Sequence, residues 1–376
     1  MPRSKWFVSL TAAIVLVVSA CNSTPSNGGT PGATQGQILV LNSISKTIVQ
    51  FNVDDNTLVP FGSTFTLPAN YDGVAMDILG DLMVTTVSSF NGSQVIWGDL
   101  GTGQIITTGF GGASGGLANP GKPTLVVDTQ GTIGALVGAR EENRVYISFP
   151  SEQNAILIAD DAGEFIERVL PFGQLIFTAD ANLDDVGGTY APLGDTRMKL
   201  FRFNDGSQFD DFELTGAKNV TDAVFSQEQI IVLAGGSFTP QFLPTGDGAV
   251  VVVNAPDRGV RAIRALDGNG LAFEPGRNGL GYVVRTNAGT FDSTDIVTFN
   301  FFTETFDRGP ANPIQPKDAD GSDIENCRVA SALVDSRLLC ATFEDGSQGR
   351  LVLMDASGNF LDDAPIGAGA SDIFVR

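Results

Sequence analysis

Residues 37–59 read QILVLNSISKTIVQFNVDDNTLV, and this stretch decides the fold class. Two runs rich in aliphatic and β-branched residues, ILVLN and TIVQFN, are separated by a short polar turn, and a third run follows Asp54 and Asp55. Runs of this kind, bounded by Asn, Asp and Ser, are typical of short antiparallel strands joined by tight turns. The stretch therefore predicts consecutive β-strands, and the rest of the body has no convincing helical pattern.

One part of this unit returns along the chain: an apolar strand, an Asp or Asn, a short turn and another strand. In successive copies this apolar run ends at the following Asp or Asn residues: Asn52, Asp99, Asp160, Asn204, Asn254, Asn300 and Asp355. The copies are about 50 residues apart, and later copies are preceded by a further strand pair, such as VAMDI with LMVTTVS. Four strands in about 50 residues correspond to one blade of a β-propeller.

We therefore expect an all-β domain over residues 37–376, a seven-bladed β-propeller of four-stranded antiparallel blades. The opening run QILVLN has no strand before it, whereas the final run SDIFVR resembles the first strands of other blades. The C-terminal strand should therefore lie beside residues 38–42 and join the first blade. This pairing would close the propeller and leave no open sheet edge between the first and last blades.

The first 21 residues have the pattern of an export signal. Arg3 and Lys5 precede an apolar run at 6–18 that is short for a transmembrane helix, and the run ends in VSAC at 18–21. This ending resembles the lipobox of bacterial lipoproteins, in which the cysteine is acylated and the peptide before it is removed. The resemblance implies a signal peptide at 1–20 and lipidation, with palmitate-type chains, at Cys21. An ordinary signal peptide and an uncleaved anchor are the alternatives.

Residues 21–36 contain the lipidated cysteine and an uncharged Ser, Thr, Pro and Gly segment, which predicts a flexible tether. Three acyl chains would make the membrane anchor effectively permanent. The residue after Cys21 is Asn22 rather than Asp. By resemblance to Gram-negative sorting, this favours the outer membrane of a bacterial cell envelope over the inner membrane.

The charge and the missing histidine exclude several functions. The chain has 43 acidic and 22 basic residues, a net charge of −21 and no histidine. A strongly acidic protein repels phosphates, so nucleic acid is not expected as a partner. Without histidine there is no Ser-His-Asp or Cys-His catalysis and no histidine general base.

The 37–59 stretch resembles the repeat of the YVTN-type propellers, with residues 40–42 and 48–52 in the positions of its two signature strands. The resemblance covers all seven copies by pattern and the first copy by residues. It implies a lactonase-like or quinoprotein-like propeller in an extracytoplasmic location. Lactonase-type propellers use His, Arg and carboxylates in their channel, and quinone-dependent dehydrogenases use tryptophan docking repeats. A chain with no His and two Trp matches neither set, and the fold alone defines no activity.

Acidic residues recur where the first strands of several blades would begin, so we expect them at one mouth of the channel. These residues are Asp72, Asp180, Asp222 and Asp372, with Asn269 and Asn326 at corresponding places and Lys122 in the third blade. Carboxylate oxygens suit Ca²⁺ or Mg²⁺, so the mouth is a candidate for binding a cation or a basic partner. The alternative is that these side chains cap turns.

A second acidic candidate lies in an insertion at 310–325. Its carboxylates alternate as in part of a calcium loop: Asp318, Asp320, Asp323 and Glu325. Gly321 comes too early for an EF-hand, and no flanking helices are evident. A solvated acidic loop is therefore the alternative.

Two cysteines remain after the lipidated one, and an oxidising compartment would favour a disulfide between Cys327 and Cys340. A hairpin turning at 335–336 would place Cys340 opposite Ser331, about four residues from Cys327 and too far for the bond. A bulge or a longer turn would bring the two together. Otherwise they are two small buried thiols.

These features predict a lipid-anchored, non-enzymatic binding or scaffolding protein of the cell envelope. We expect a monomer that meets the membrane through its N-terminal lipid and binds a protein or a cation at one propeller face. No cofactor is expected other than calcium at the acidic candidates, and the sequence assigns no metal. Two alternatives stay open: a metal-assisted hydrolase or lyase of the lactonase-like type, and an acidic surface or adhesion protein without a discrete site.

Overall fold

The structure is a computed structural model, and it describes most of the chain from residue 35 onward. The described residues are 35–69, 72–79, 82–89, 92–106, 109–110, 124–127, 136–139, 144–149, 154–159, 165–170, 175–180, 185–189, 197–202, 208–226, 229–254, 257–276, 279–290, 294–343 and 348–375. The predicted signal peptide, Cys21 and nearly all of the predicted tether lie outside them. Every described residue belongs to the compact unit Thr34–Arg376.

All regular elements in these ranges are β-strands, as the sequence predicted, and no described residue lies in a helix. The described part of the chain accordingly offers no helix that is long and apolar enough to cross a membrane. The described strands form seven sheets.

The first sheet has the order β3-β2-β1-β31, and β4 also pairs with β2. Its strands are β1 (Gln35–Asn42), β2 (Thr47–Asp54), β3 (Thr57–Pro60), β4 (Phe65–Thr66) and β31 (Ala370–Val375). The second sheet has the order β5-β6-β7-β10-β9, and β8 also pairs with β7. Its strands are β5 (Asp72–Leu79), β6 (Leu82–Ser89), β7 (Gly92–Asp99), β8 (Gln104–Ile106), β9 (Gly109–Phe110) and β10 (Thr124–Val127).

The other five sheets each contain four strands in sequence order, with antiparallel neighbours. The third sheet comprises β11 (Leu136–Ala139), β12 (Arg144–Phe149), β13 (Asn154–Ala159) and β14 (Phe165–Leu170). The fourth comprises β15 (Leu175–Asp180), β16 (Asp185–Thr189), β17 (Arg197–Arg202) and β18 (Gln208–Glu213). The fifth comprises β19 (Val220–Ser226), β20 (Gln229–Ala234), β21 (Ala249–Asn254) and β22 (Val260–Ala265). The sixth comprises β23 (Asn269–Pro275), β24 (Leu280–Thr286), β25 (Thr294–Asn300) and β26 (Thr305–Arg308). The seventh comprises β27 (Cys327–Ala332), β28 (Leu338–Thr342), β29 (Gly349–Met354) and β30 (Phe360–Gly367).

The C-terminal strand pairs with the first strand of the chain. β31 lies antiparallel to β1, with Ile38 opposite Val375 and Asn42 opposite Ala370. The first strands of the sheets also contact one another in chain order, from β5 through β11, β15, β19, β23 and β27 to β31, and β31 contacts β5. Where side chains are described, buried apolar residues fill the space between the first and second, fifth and sixth, sixth and seventh, and seventh and first sheets.

One of these buried clusters joins the fifth and sixth sheets. Phe273 and Phe299, which are 1% and 0% exposed, pack there with Val252 of β21, and an edge-to-face contact of 5.8 Å joins Phe299 to Phe306. Strands covered on both faces need apolar residues on both faces. This explains why β20 and β21 are continuous apolar runs with no polar alternation.

The first strands share a local irregularity near their beginning. In five sheets one residue of the first strand is left unpaired between two paired residues, which is a β-bulge: Val74, Thr221, Leu271, Arg328 and Ser371. A bulge bends its strand and re-aims a side chain. The copies can therefore be aligned on this residue, and Arg328 is the only charged residue at the position in the described sheets.

The third and fourth sheets differ from the sequence expectation. The strand after Lys122, β10, pairs with β7 in the second sheet, and the third sheet begins at β11 instead. Lys122 itself lies outside the described residues. Asp180 was predicted at the beginning of a first strand, but it is the last residue of β15. This prediction was wrong because the sequence pattern took the last residue of β15 for the start of the strand.

Candidate functional site

We call the end of the sheets where the first strands begin the entry face. Asp72 and Asn269 are the first residues of β5 and β23, and Asn326 directly precedes β27. Asp222 and Asp372 lie three residues further along their strands, just after the bulge. The predicted ring of four entry carboxylates is therefore wrong: it combined two different positions, and Asp180 lies at the opposite end of its strand.

The two entry carboxylates whose contacts are described have structural partners. Asp72 forms an ion pair with Lys46, with 2.7 Å between the carboxylate oxygen and Nζ. Asp372 accepts hydrogen bonds from the backbone N–H groups of Met76 on β5 and of Ile373, both at 2.7 Å. Asp372 thus links β31 to the neighbouring first strand, which agrees with a capping role rather than with a free cation ligand.

We call residues 235–248, between β20 and β21, loop A. Asp247 accepts hydrogen bonds from Ser237, Thr245 and Lys218, with 2.6 Å to the backbone nitrogen of Ser237 and to the hydroxyl of Thr245. Burial alone would raise the pKa of Asp247, but these hydrogen bonds together hold that pKa far below its usual value. Asn269 donates to the Ser237 carbonyl at 2.8 Å, so loop A is also fastened to β23.

We call residues 309–326, between β26 and β27, loop B. The start of loop B is held by Arg285, which forms a buried bidentate ion pair with Asp295. Arg285 also donates a hydrogen bond to the Pro310 carbonyl at 3.2 Å. Further along, Asp318 pairs with Arg350 at 2.7 Å, and Arg350 also reaches Asp363 at 3.0 Å. The hydrogen bond from Arg350 lowers the pKa of Asp318.

The carboxylates of the predicted calcium loop are distributed among separate partners. Asp318 is paired with Arg350, Asp320 accepts from the Ser322 backbone and hydroxyl, and Asp323 pairs with Lys317. Across the described ranges, no three His, Cys, Asp or Glu side chains come together as a metal site. Oxygens that already neutralise a cation or accept local hydrogen bonds are poor calcium ligands, so the structure favours the alternative of an acidic loop.

Cys327 and Cys340 are joined by a disulfide, with their Cα atoms 5.7 Å apart. Cys340 lies opposite Ala330, and the bulge after Cys327 shortens the offset that a regular hairpin would impose. Both cysteines are buried. The bond fixes the start of β27, where Arg328 is the bulged residue.

A cavity of about 700 Å³ opens between loop B and the beginnings of the sixth and seventh sheets. Its walls include Leu271 and Arg328, the bulged residues of two neighbouring first strands, together with Glu325, Phe343 and the Asp318–Arg350 pair. The volume is in the range of small-molecule sites, and the lining combines apolar and charged groups as such sites do. We call it the Arg328 cavity.

The wall of this cavity is held by the backbone. The Glu325 carbonyl accepts from the Thr294 N–H at 3.0 Å and from its hydroxyl at 2.9 Å. The Phe343 N–H donates to the Asn326 carbonyl at 3.0 Å. With the disulfide at the next residue, the segment that carries Glu325 and Arg328 is fixed on both sides. Fixed groups lose little entropy when a ligand binds.

Arg328 and Glu325 differ from the other charged groups of this face. In the part of the chain that the structure describes, neither side chain has a hydrogen bond or an ion pair, and they do not pair with each other. Arg328 is exposed to solvent, and the protein around it lowers its pKa by desolvation. A guanidinium without a partner in a cavity can donate charge-assisted hydrogen bonds to a ligand anion.

Sequence reasoning found Glu325, although for calcium, and it missed Arg328. The signal was present but needed the correct alignment of the copies. Aligned on the bulge, the position holds Val74, Thr221, Leu271, Arg328 and Ser371. A single charge among apolar and hydroxyl residues would then have stood out.

No family model matches the chain, and no curated protein matches it. Among solved structures, the chain is similar to a dihydro-heme d1 dehydrogenase, NirN, in complex with DHE, at 11% identity and a TM-score of 0.60 over 93% of this chain and 77% of that one. A putative 6-phosphogluconolactonase from Bacteroides uniformis is 12% identical, with a TM-score of 0.57 over 92% of this chain and 100% of that one.

A quinonprotein alcohol dehydrogenase-like protein from Bacteroides thetaiotaomicron is 10% identical, with a TM-score of 0.58 over 91% of this chain and 78% of that one. At these identities the likeness concerns the fold alone. These lactonase-like and quinoprotein-like neighbours are β-propellers, and the chain has a β-propeller fold.

Proposed function

We propose that the chain is a lipid-anchored β-propeller of a bacterial cell envelope that binds a small ligand on its entry face without transforming it. The observation that supports binding is the Arg328 cavity, in which two charged side chains of opposite sign extend from a backbone held by hydrogen bonds and a disulfide but have no partner of their own among the described residues. Groups that complete the fold have their charges compensated. Groups kept uncompensated in a cavity are available to a ligand.

The proposal includes seven blades and a closed ring. Seven sheets in the described residues, contacts between successive first strands and the pairing of β31 with β1 support it. Closure by the two chain ends would protect the sheet edges of the first blade. It would also give the entry face a single set of loops around one channel mouth.

The proposed anchor is the acylated Cys21, on the sequence grounds given above, in the outer membrane. β1 begins at the end opposite the entry face, because it runs antiparallel to β31. A tether that joins the body there would leave the entry face free to meet ligands. The test is labelling of cells with a palmitate analogue: the wild-type chain should carry label and sediment with outer membranes, and Cys21→Ala should lose both.

Binding is preferred to catalysis because two described carboxylates of this face, Asp318 and Asp247, are committed to partners. Asp318 is held ionised by Arg350 and Asp247 by its hydrogen bonds, whereas a general base needs a pKa near the working pH. The structural neighbours include proteins named as a lactonase and as dehydrogenases, so turnover is the rival to be tested.

The test passes a mixture of organic acids, amino acids and sugars over the immobilised full chain and analyses the bound and unbound fractions by mass spectrometry. A compound retained by the wild type, released unchanged and lost in Arg328→Gln supports the proposal. Conversion of any compound would instead support the hydrolase alternative. If nothing is retained, the protein is an acidic surface protein without a discrete site.

A further inference from the structure

The charges of the Arg328 cavity narrow the ligand class, and this step rests on the proposed function. Arg328 presents a planar cation with several N–H donors, which suits a carboxylate held by two parallel hydrogen bonds. Glu325 presents an anion on the same cavity. A simple anion would meet repulsion from Glu325, and a simple cation would meet repulsion from Arg328. A molecule with both charges satisfies the two side chains at once.

The spacing agrees with one small molecule. Three residues of extended chain span at most about 10 Å, so the Glu325 and Arg328 side chains start within that distance and line one cavity. They form no ion pair with each other within the described part of the chain, so both charged ends are available to a ligand in the cavity. A free amino acid has a carboxylate and an ammonium group on one carbon and could lie between them.

The remaining walls indicate the kind of side chain. Leu271 lines the cavity from β23, and Phe343, 39% exposed, lines it from the segment after β28. An exposed Phe beside a cavity offers apolar surface that a ligand can cover. Asp318 and Arg350 neutralise each other on the remaining wall and add no net charge.

We propose that the Arg328 cavity binds a free α-amino acid with an apolar side chain, with Arg328 holding its carboxylate and Glu325 its ammonium group. The disulfide and the Thr294 hydrogen bonds keep the two groups in place before the ligand arrives. The bulge of β27 has a role in this site, because it aims Arg328 differently from a paired strand residue.

The test is isothermal titration calorimetry on the full chain purified in detergent, with L-leucine as the probe. N-acetyl-L-leucine lacks the ammonium group and L-leucinamide lacks the carboxylate. We expect L-leucine to bind and each analogue to bind roughly ten- to hundredfold more weakly, since each leaves one charged group unpaired. Binding of N-acetyl-L-leucine as tight as that of L-leucine would overturn the assignment.

Variants test the two roles separately. Arg328→Gln should lose the preference for L-leucine over L-leucinamide, and Glu325→Gln should lose the preference for L-leucine over N-acetyl-L-leucine. Arg261 is an exposed arginine that pairs with Glu304 away from the cavity. Arg261→Gln removes the same charge and should leave the binding of L-leucine and of both analogues unchanged. Melting curves confirm that each variant is folded.

Three outcomes distinguish a failure of this inference from a failure of the proposed function. Absence of L-leucine binding, with another class of compound retained from the metabolite mixture through Arg328, overturns the amino acid but keeps the binding function. Absence of any retained compound overturns both. L-leucine binding that Arg328→Gln leaves unchanged overturns the site.

Discussion

Loops A and B lie on the same face and use their charges in opposite ways. In loop A, Asp247 has partners on three residues and a strongly lowered pKa. In loop B, Asp318 is similarly compensated by Arg350. Glu325, the last residue but one of the loop, and Arg328, two residues after its end, have no side-chain partner in the described structure.

This difference separates charges that hold the fold from charges available to a ligand. The carboxylates that the sequence suggested as cation ligands belong mostly to the first kind. The comparison predicts that substitutions of paired groups lower stability, whereas substitutions of Glu325 and Arg328 change binding alone. The predictions below test that division, beginning with the largest effect.

The base of loop B depends on the Arg285–Asp295 ion pair. Asp295→Ala leaves a buried guanidinium without its carboxylate, and we expect it to lower the free energy of unfolding by about 3–5 kcal/mol. Urea denaturation measures the change. Replacing both residues, as Arg285→Met with Asp295→Leu, should recover most of the loss. A loss below about 1 kcal/mol in Asp295→Ala would contradict the tethering role of this pair.

Loop A depends on Asp247. Asp247→Asn weakens the bonds to Ser237, Thr245 and Lys218, and we expect a loss of about 1–2 kcal/mol, kept modest by solvent exposure of the carboxylate. Thermal melting measures the loss. Asp307→Asn, on an exposed residue of β26, is the matched control and should have almost no effect. Equal losses of stability in both variants would show that the overall charge matters and the hydrogen bonds of Asp247 do not.

The pH dependence of stability should follow from the same carboxylates. The pKa values of Asp247 and Asp318 are lowered in the folded state, so their contribution is complete above the unfolded value of about 4 and is lost as the pH falls below it. With no histidine in the chain, stability should change little between about pH 5 and 8. Melting curves from about pH 2 to about pH 8 test both statements. Stability should fall less steeply with decreasing pH in Asp247→Asn than in the wild type. An unchanged pH dependence would contradict the role of Asp247.

Phe242 at the tip of loop A has a left-handed backbone, with φ of 61°, and is 72% exposed. A bulky residue is unfavourable in that conformation, whereas Asn tolerates it. Phe242→Asn should therefore raise the free energy of unfolding by about 0.5–1 kcal/mol, as measured by urea denaturation. A loss of stability instead would mean that the ring makes packing contacts that its exposure conceals.

The strands could be predicted from the sequence because each repeats a local pattern that needs no tertiary information. AVVVVN, DIVTFN and RLVLMD all became strands, and the pairing of the C-terminal strand with residues 38–42 followed from one missing strand at the start. The carboxylate ring failed because Asp72 lies two residues before the bulge of its strand, whereas Asp222 and Asp372 lie one residue after theirs, and a bulge has no composition signal of its own.

The partners of the charged groups could not be predicted either. Arg350 lies 32 residues from Asp318 in sequence, and Arg285 reaches Pro310 across 25. Such pairings depend on how the sheets pack, and this packing decides which charge stays free. The sequence therefore indicated the loop that contributes Glu325 to the cavity, but it did not indicate Arg328.

The most direct measurement of the central claim compares Arg328→Gln with Arg350→Gln by urea denaturation of the full chain. Both remove one arginine from the same cavity. Arg350→Gln leaves Asp318 and Asp363 uncompensated and should lower the free energy of unfolding by about 1–2 kcal/mol. Arg328→Gln removes an exposed charge that has no partner among the described residues, and its effect should stay within about 0.5 kcal/mol of zero. A loss in Arg328→Gln as large as that in Arg350→Gln would contradict the account, because Arg328 would then be one of the charges that hold the fold.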